Sequence, residues 1–387
     1  MEPNALKKAI IVGPAFPLRG GIADFNEALC RSMLAAGIDT KIVSFSLQYP
    51  SFLFPGKTQY SNDAPPSDIS IKTIINSINP LNWINVAKLI KQEKPNLVII
   101  RFWLPFMGPC LGTIAKLIKR NTSIKIIAIT DNVIPHEKRV GDKIFTQYFV
   151  NNCDAFIAMS KTVLDDLTQF TSNENKRFLP HPVYDIFGSI MPKEQALKHL
   201  HLKSTDKHIL FFGFIRKYKG LDLLLHAMAD KRIKALNIKL IIAGEYYEDA
   251  TVYEKIIQEN DLSNNVILKT EYIPKEEVSY YFCASDMIVQ PYKTATQSGV
   301  TQIAYHFERP MLVTNVGGLP EIVPHNKVGY VTNINARAIA DAMVDFYTLQ
   351  KENTFSEYVR NEKHRFLWST FVEGIDKLYK KINKSLA

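Results

Sequence analysis

Short runs of β-branched and aliphatic residues recur along this chain without inner alternation, each followed by a stretch of helical periodicity. No other feature constrains the fold as strongly. A strand with one wet face alternates apolar and polar residues, whereas a strand that is apolar throughout is covered on both faces. Helices on both sides of a parallel sheet provide that cover. A first series of runs lies at 9–12, 41–45, 96–101, 124–129 and 155–159, separated by helical patterns at 22–36, 83–92 and 161–170. A second lies at 209–212, 239–243, 266–269, 287–290, 311–314 and 328–331, with helical patterns at 221–229, 253–259, 276–282 and 336–347. Between the series, Phe178-Leu179-Pro180-His181-Pro182-Val183-Tyr184-Asp185 breaks the alternation. Its two prolines hold the chain extended, and a Lys-rich helical pattern follows at 194–202. With 387 residues the chain exceeds the roughly 250–300 at which single cores stop growing. The expected fold class is α/β, with two Rossmann-like doubly wound domains facing across a cleft. The expected boundaries are 1–185, 186–365 and, at 366–387, a C-terminal helix packing back on the first domain.

A chain with 46% hydrophobic and 22% charged residues supports ordinary cores, which excludes a disordered, collagenous or short-repeat protein. Lys and Arg total 47 against 38 Asp and Glu, a net charge of +9. Such an excess favours polyanions, anionic membrane surfaces or phosphorylated ligands without choosing among them. It is diffuse and carries no nucleic-acid recognition motif, so no nucleic-acid partner is expected. Cys30, Cys110, Cys153 and Cys283 are scattered and form no Cys-x-x-Cys pair. They suggest neither zinc nor disulfides, and a reducing, cytoplasmic setting fits them. The start of the chain runs into a strand without the apolar stretch of a signal peptide. The most apolar later window, 102–118, is broken by Pro105 and Pro109 and is short for a membrane span, so a soluble protein is expected.

Chemistry is expected in the loops beyond the carboxyl ends of the strands, where doubly wound sheets bind ligands. Gly20-Gly21 opens a helix after the first strand. The pair either lets an anion approach backbone N–H groups or makes a plain turn, and it lacks the Gly-x-Gly-x-x-Gly spacing of a dinucleotide site. Gly213-Phe214-Ile215-Arg216-Lys217-Tyr218-Lys219-Gly220 leaves a strand with three cations, which either face a diphosphate or solvate a loop. Leu240 to Glu245 is a further strand and turn, with Gly244 in the turn. Gln297-Ser298-Gly299-Val300 opens a helix with small polar residues suited to phosphate. Glu321, after Gly317-Gly318-Leu319-Pro320, stands where a sugar hydroxyl could be bound. Asp131 follows the run at 124–129; it either orients an acceptor hydroxyl and takes its proton, or caps a turn. His136 and Glu137 follow in the same loop, and His181 reads as structural. The chain has no Asp-x-Asp, no metal-ligand spacing, no Gly-x-Ser-x-Gly and no P-loop.

Taken in order, these segments resemble the family 4 glycosyltransferases, retaining enzymes of the GT-B fold, over nearly the whole chain. The most specific part is Val313 to Val323 followed by Val328-Gly329-Tyr330, which looks like that family's "VGGLPEIV…G" segment. The Gly213–Gly220 stretch is similar to its "GR…KG" donor motif, and Gly20-Gly21 to its N-terminal glycine loop. The resemblance implies a hexosyltransferase that moves a sugar from a nucleotide diphosphate sugar, with UDP and GDP unresolved, to a hydroxyl of a glycan or lipid-linked glycan. It implies retention, no cofactor or metal, and a role in cell-surface polysaccharide or glycolipid synthesis. The C-terminal domain would bind the donor through Arg216, Lys219, Gly244, Gln297, Ser298, Gly299, Val300 and Glu321, with Gly20 and Gly21 contributing from the N-terminal, acceptor-binding domain. Asp131 occupies the position of the family's active-site His, with His136 and Glu137 as further catalytic candidates. Three positions depart from the pattern: Ala295 and Ile303 stand where the family carries two Glu, and Phe214 where it carries Arg. A nucleotide-sugar epimerase shares the architecture, and a non-catalytic nucleotide-sugar-binding homologue fits the absent Glu pair.

Aromatic and basic residues in the first half suggest peripheral contact with the inner membrane face. They are Tyr49, Phe52, Leu53 and Phe54 before Lys57, and Phe102, Trp103, Leu104 and Phe106 after Arg101, with Lys116, Lys119 and Arg120 beyond. Alternatively these aromatics fill the N-terminal core.

Overall fold

The structure is a computed structural model that describes residues 5–50, 59–61, 64–135, 139–183, 187–295 and 298–384. It divides into two compact units, Met1–Pro180 with Trp368–Ala387, and His181–Leu367. The chain passes from the first to the second between Pro180 and His181.

Unit 1 contains β1 (Lys8–Val12), α1 (Gly21–Ala35), β2 (Asp39–Leu47), β3 (Ile71–Asn76), α2 (Pro80–Gln92), β4 (Leu97–Phe102), α3 (Gly108–Lys119), β5 (Lys125–Thr130), α4 (Asp142–Val150), β6 (Ala155–Ala158), α5 (Lys161–Asp166) and β7 (Lys176–Phe178). Its strands form one parallel sheet in the order β3-β2-β1-β4-β5-β6-β7. Every residue of β4 and of β6 is buried, as strands covered on both faces must be. On one face the sheet packs against Trp83, Ile90, Leu111, Ile114 and Phe149 of α2, α3 and α4.

Unit 2 contains α6 (Lys193–His199), β8 (Lys207–Phe212), α7 (Leu221–Met228), α8 (Lys231–Ala235), β9 (Ile238–Ala243), α9 (Thr251–Glu259), β10 (Val266–Lys269), α10 (Val278–Ala284), β11 (Met287–Gln290), α11 (Gly299–His306), β12 (Met311–Thr314), α12 (Leu319–Ile322), β13 (Gly329–Thr332), α13 (Ala336–Thr348) and α14 (Glu352–Glu362). Its parallel strands run in the order β10-β9-β8-β11-β12-β13. The last helix, α15 (Trp368–Lys384), belongs to unit 1. Its buried stripe of Phe371, Val372, Ile375, Leu378, Tyr379 and Ile382 has helical spacing and joins the core on the other face of the unit 1 sheet. Phe371 meets Phe25 of α1 edge-on at 5.6 Å.

The sequence pattern misses two unit 1 strands, both at the sheet's edges. β3 is only partly buried, and β7 is a three-residue strand, Lys176-Arg177-Phe178, with no fully buried residue. An edge strand is covered less and need not be apolar throughout. Phe102 and Trp103 are core residues, so they offer nothing to a membrane surface. Lys119 is paired with Asp154 at 2.7 Å. Phe52, Leu53, Phe54 and Lys57 lie outside the described residues. Among the described residues no helix is long and apolar enough to cross a membrane, and all four cysteines are buried free thiols.

Each strand order reverses once, between β1 and β4 in unit 1 and between β8 and β11 in unit 2. Connections on the two sides of such a point leave in opposite directions, and a crevice opens beyond the carboxyl ends of the strands.

Candidate active site

At the unit 2 reversal, β8 runs out through Gly213 and β9 through Gly244. A Cβ on Gly244, whose φ is +139°, would lie 2.4 Å from the Gly213 carbonyl oxygen. A Cβ on Gly213 would lie 3.0 Å from Lys219 Nζ and 4.0 Å from Val300 Cγ2. These two glycines let the strand ends close up and leave room for the lysine head.

Lys219 is 9% exposed. Among the described residues its ammonium has no hydrogen-bond or ion-pair partner; Nζ lies 5.8 Å from the centroid of the Tyr292 ring. Burial, and then repulsion from Arg216, pull its pKa down to about 8. A buried cation without a counter-charge is costly, and an anionic ligand removes that cost. Arg216 is exposed, with its guanidinium 4.9 Å from the Tyr247 ring centroid. Beside it Phe214 and Tyr247 form an exposed aromatic pair, centroids 4.4 Å apart.

From the other side of the reversal, β11 leads to Tyr292 and to Ser298, the N-cap of α11. Ser298 Oγ accepts from the Val300 N–H at 3.2 Å and donates to Gln290 Oε1 at 2.6 Å, with the Tyr292 hydroxyl 3.2 Å away. The start of α11 is thereby fixed against the strand end, with Gly299 exposed and Val300 beside Gly213. Lys219, Gly244, Ser298, Gly299 and Val300 therefore gather at one point. Gln297 lies outside the described residues. Glu321 is half-buried on α12, tied to the same region because the Tyr305 hydroxyl of α11 donates to the Ile322 carbonyl at 2.6 Å. Tyr292, the ring beside the lysine, was missed in the sequence, and Gly213 was read only as the start of the donor motif, not as the spacer beside Lys219.

At the unit 1 reversal stands a buried ion pair. Arg101, at the end of β4, is 3% exposed and reaches Asp131 just beyond β5. Its Nε donates to Oδ2 at 2.7 Å and its Nη2 to Oδ1 at 2.5 Å, while the guanidinium lies 4.0 Å from the Phe25 ring centroid. Burial pushes the Asp131 carboxyl above the usual aspartate range and Arg101 opposes that shift. Held by both oxygens, the carboxylate has a fixed direction and keeps lone pairs for a hydroxyl donor. Gly13 closes the other side: its Cβ would come 3.0 Å from Arg101 Cβ. Gly20 caps α1 and Gly21 begins it, both exposed. His136 and Glu137 lie outside the described residues. His181 sits at the chain's passage between units, its Nδ1 2.8 Å from the Pro182 carbonyl. Arg101 was read in the sequence only as a neighbour of aromatics. The available signal was a single cation inside Leu97-Val98-Ile99-Ile100-Arg101-Phe102, since a charge in a doubly covered strand requires a partner. Among the described residues no cluster of His, Cys, Asp and Glu could hold a metal ion.

Two doubly wound parallel units, each with polar side chains at its reversal point, define the GT-B class of fold. A structure of the Anabaena protein HepE in complex with UDP has this fold, with a TM-score of 0.68 at 14% identity over 98% of this chain and 99% of that one. Residues 206–348 match the family model for glycosyl transferases group 1. An uncharacterised 41.2 kDa protein of the Klebsiella pneumoniae cps region is 26% identical over 45% of this chain and 46% of its own length. This chain thus spans about half the length of that relative. The O-antigen chain mannosyltransferase C of Escherichia coli is 24% identical over 73% of this chain and 74% of its own. The similarity to glycosyl transferases group 1 is thus carried by residues 206–348, within a GT-B fold.

Proposed function

We propose that the protein transfers a hexosyl group from a nucleoside diphosphate sugar to a hydroxyl of a glycan or lipid-linked glycan, with retention and without a metal ion. The observation that carries this reading is Lys219, a buried lysine that lacks a counter-charge among the described residues at the reversal point of unit 2. In this reading unit 2 is the donor domain. Lys219 and Arg216 offset the charge of the departing diphosphate, and the first turn of α11 at Ser298, Gly299 and Val300 presents backbone N–H groups to it. Gln297 and Glu321 belong to the same donor site, and Gly244 lets the diphosphate approach the strand ends.

Unit 1 is the acceptor domain in this reading, and Gly20 and Gly21 are its candidates for binding the donor's charged part. Asp131, aimed by Arg101, accepts a hydrogen bond from the acceptor hydroxyl and so directs the oxygen at the anomeric carbon. The bond from that carbon to the diphosphate breaks, the bond to the acceptor oxygen forms on the same face, and the hydroxyl proton ends on the departing phosphate. His136 and Glu137 are lesser candidates in that loop. Synthesis of a cell-surface polysaccharide or glycolipid fits the E. coli relative's printed name, and a place at the inner membrane face fits the +9 charge. The test is incubation with UDP- and GDP-hexoses and a panel of saccharide acceptors, followed by assignment of the new anomeric centre. A retained configuration in an acceptor-dependent product is expected. A free epimerised nucleotide sugar, formed without acceptor, would overturn the reading.

A further inference from the structure

The helix layer on one face of unit 1 ends in an apolar rim that no sequence pattern announces. Its three helices run in the same direction. Lys91, near the end of α2, donates to the carbonyls of Leu117 and Arg120 at the end of α3, and Lys119 of α3 pairs with Asp154 just after α4. Their N-terminal ends are adjacent too, since a Cβ on Gly108, the first residue of α3, would lie 2.3 Å from the Phe145 carbonyl of α4. That leading edge is the side on which the strands end, where Asp131 stands.

On this edge large apolar side chains are exposed. At the start of α2 they are Ile78, Leu81 and Ile84, with Leu81 at 74%. At the start of α4 they are Val140, Ile144 and Phe145, with Val140 fully exposed and Ile144 at 72%. Between them Phe106 is half-buried, stacked on Tyr49. Beside Val140 a cleft of about 210 Å³ runs along Ile134, Pro135 and Phe170, within the loop that begins at Asp131.

Exposed cations lie along this layer of helices. Lys88, Arg139 and Lys143 are exposed. Between residues 77 and 120 the only acid is Glu93. It sits beyond the far end of α2, held by Lys8, Lys41 and Lys72. Asp142 is half-buried and accepts the Arg139 backbone N–H at 2.7 Å. Exposed apolar side chains among cations complement an anionic bilayer, whose headgroups attract the lysines while its acyl boundary takes the Leu and Ile.

We propose that this rim, formed by the starts of α2 and α4, docks the protein on an anionic lipid bilayer. It presents the Asp131 edge to acceptors held in the membrane, a consequence that rests on the transferase reading, whereas the docking itself does not. The experiment is flotation of the full chain with vesicles of phosphatidylglycerol and phosphatidylcholine against phosphatidylcholine alone, for wild type, Leu81→Asp/Ile144→Asp, Lys88→Glu/Lys143→Glu and the remote control Leu349→Asp. Wild type and Leu349→Asp are expected to float only with anionic vesicles. Each double variant should lose about tenfold or more of that partition, with an unchanged circular dichroism spectrum and nucleotide binding. The proposal is overturned if wild type ignores anionic vesicles at low salt, or if both double variants float like wild type. It is equally overturned if the apolar double variant instead dissociates a dimer in sedimentation, which would make the rim a contact between copies of the chain. Nucleotide binding measured on the same samples reports separately on the transferase reading.

Discussion

Arg101 holds both carboxylate oxygens of Asp131 from a position that is 3% exposed, so the aspartate's direction is set by a residue of the neighbouring strand. Asp131→Asn keeps the shape and removes the charge. Turnover is expected to fall by more than donor affinity, read as kcat against the nucleotide dissociation constant. Arg101→Met leaves a carboxylate without its cation and is expected to lower stability by about 3–5 kcal/mol, as broken buried pairs do. Urea melts of the two variants check the difference. Wild-type turnover in Asp131→Asn would reduce the pair to a structural one.

Lys219 links binding to pH. With its pKa near 8, the free protein loses this positive charge as pH rises through that value, and nucleotide affinity should fall with it. Between about 8 and the ordinary 10.5 the unfolded chain binds the proton that the folded chain has released, so stability should rise with pH across that window. Lys219→Met should therefore melt at a higher temperature than wild type at pH 7 while binding nucleotide more weakly. A variant that loses stability and keeps its affinity would contradict both expectations.

Much of this was legible in the sequence because doubly covered strands announce themselves. β4, β5, β9 and β12 are apolar runs with a burial requirement on both faces, and their positions follow from composition alone. β3 and β7 were not legible, since an edge strand has one side to satisfy and Lys176-Arg177-Phe178 looks like any loop. Lys219 was legible as a cation after a strand, but its burial was not. That depends on Gly213 and Gly244, which are distant in sequence and meet only when β8 and β9 pair. The Arg101–Asp131 contact required the β4–β5 register. The membrane-facing aromatics were misplaced for a related reason: hydropathy cannot tell Phe102, inside the core, from Phe106, four residues on and half-buried.

Gly244→Ala should destabilise unit 2. Its φ of +139° strains any side chain, and the new Cβ would meet the Gly213 carbonyl at 2.4 Å. A loss of about 1–3 kcal/mol is expected for a side chain held in such a backbone conformation, together with weaker nucleotide binding as the strand ends part. Thermal melts with and without nucleotide separate the two effects.

The opposite end of the unit 2 sheet is built for stability. Asp286 accepts the His208 backbone N–H and the Tyr347 hydroxyl, each at 2.9 Å, and pairs with Lys193. His208 is fully buried, and neither ring nitrogen has a partner among the described residues. Burial lowers its pKa below 6.5, with Lys193 and Lys239 acting the same way and Asp286 and Asp206 against. As pH drops through 6.5 the unfolded chain therefore takes up a proton that the folded chain refuses, and stability falls. His208→Leu should flatten the melting temperature between pH 7 and 5; an unchanged slope would place the acid sensitivity elsewhere.

Chelation bears on the charge compensation assigned to Lys219 and Arg216. EDTA should leave turnover largely intact, whereas full loss restored by one divalent cation would show that these two residues do not suffice.

The most direct measurement is calorimetric titration of UDP, GDP and their hexose derivatives into wild type and Lys219→Ala. Saturable binding of at least one nucleoside diphosphate is expected, weakened in Lys219→Ala by about 1–3 kcal/mol, the worth of a desolvated charge-assisted contact. Equal affinity in the two proteins, or no binding of any nucleotide to a folded wild type, would contradict a donor site at the end of β8.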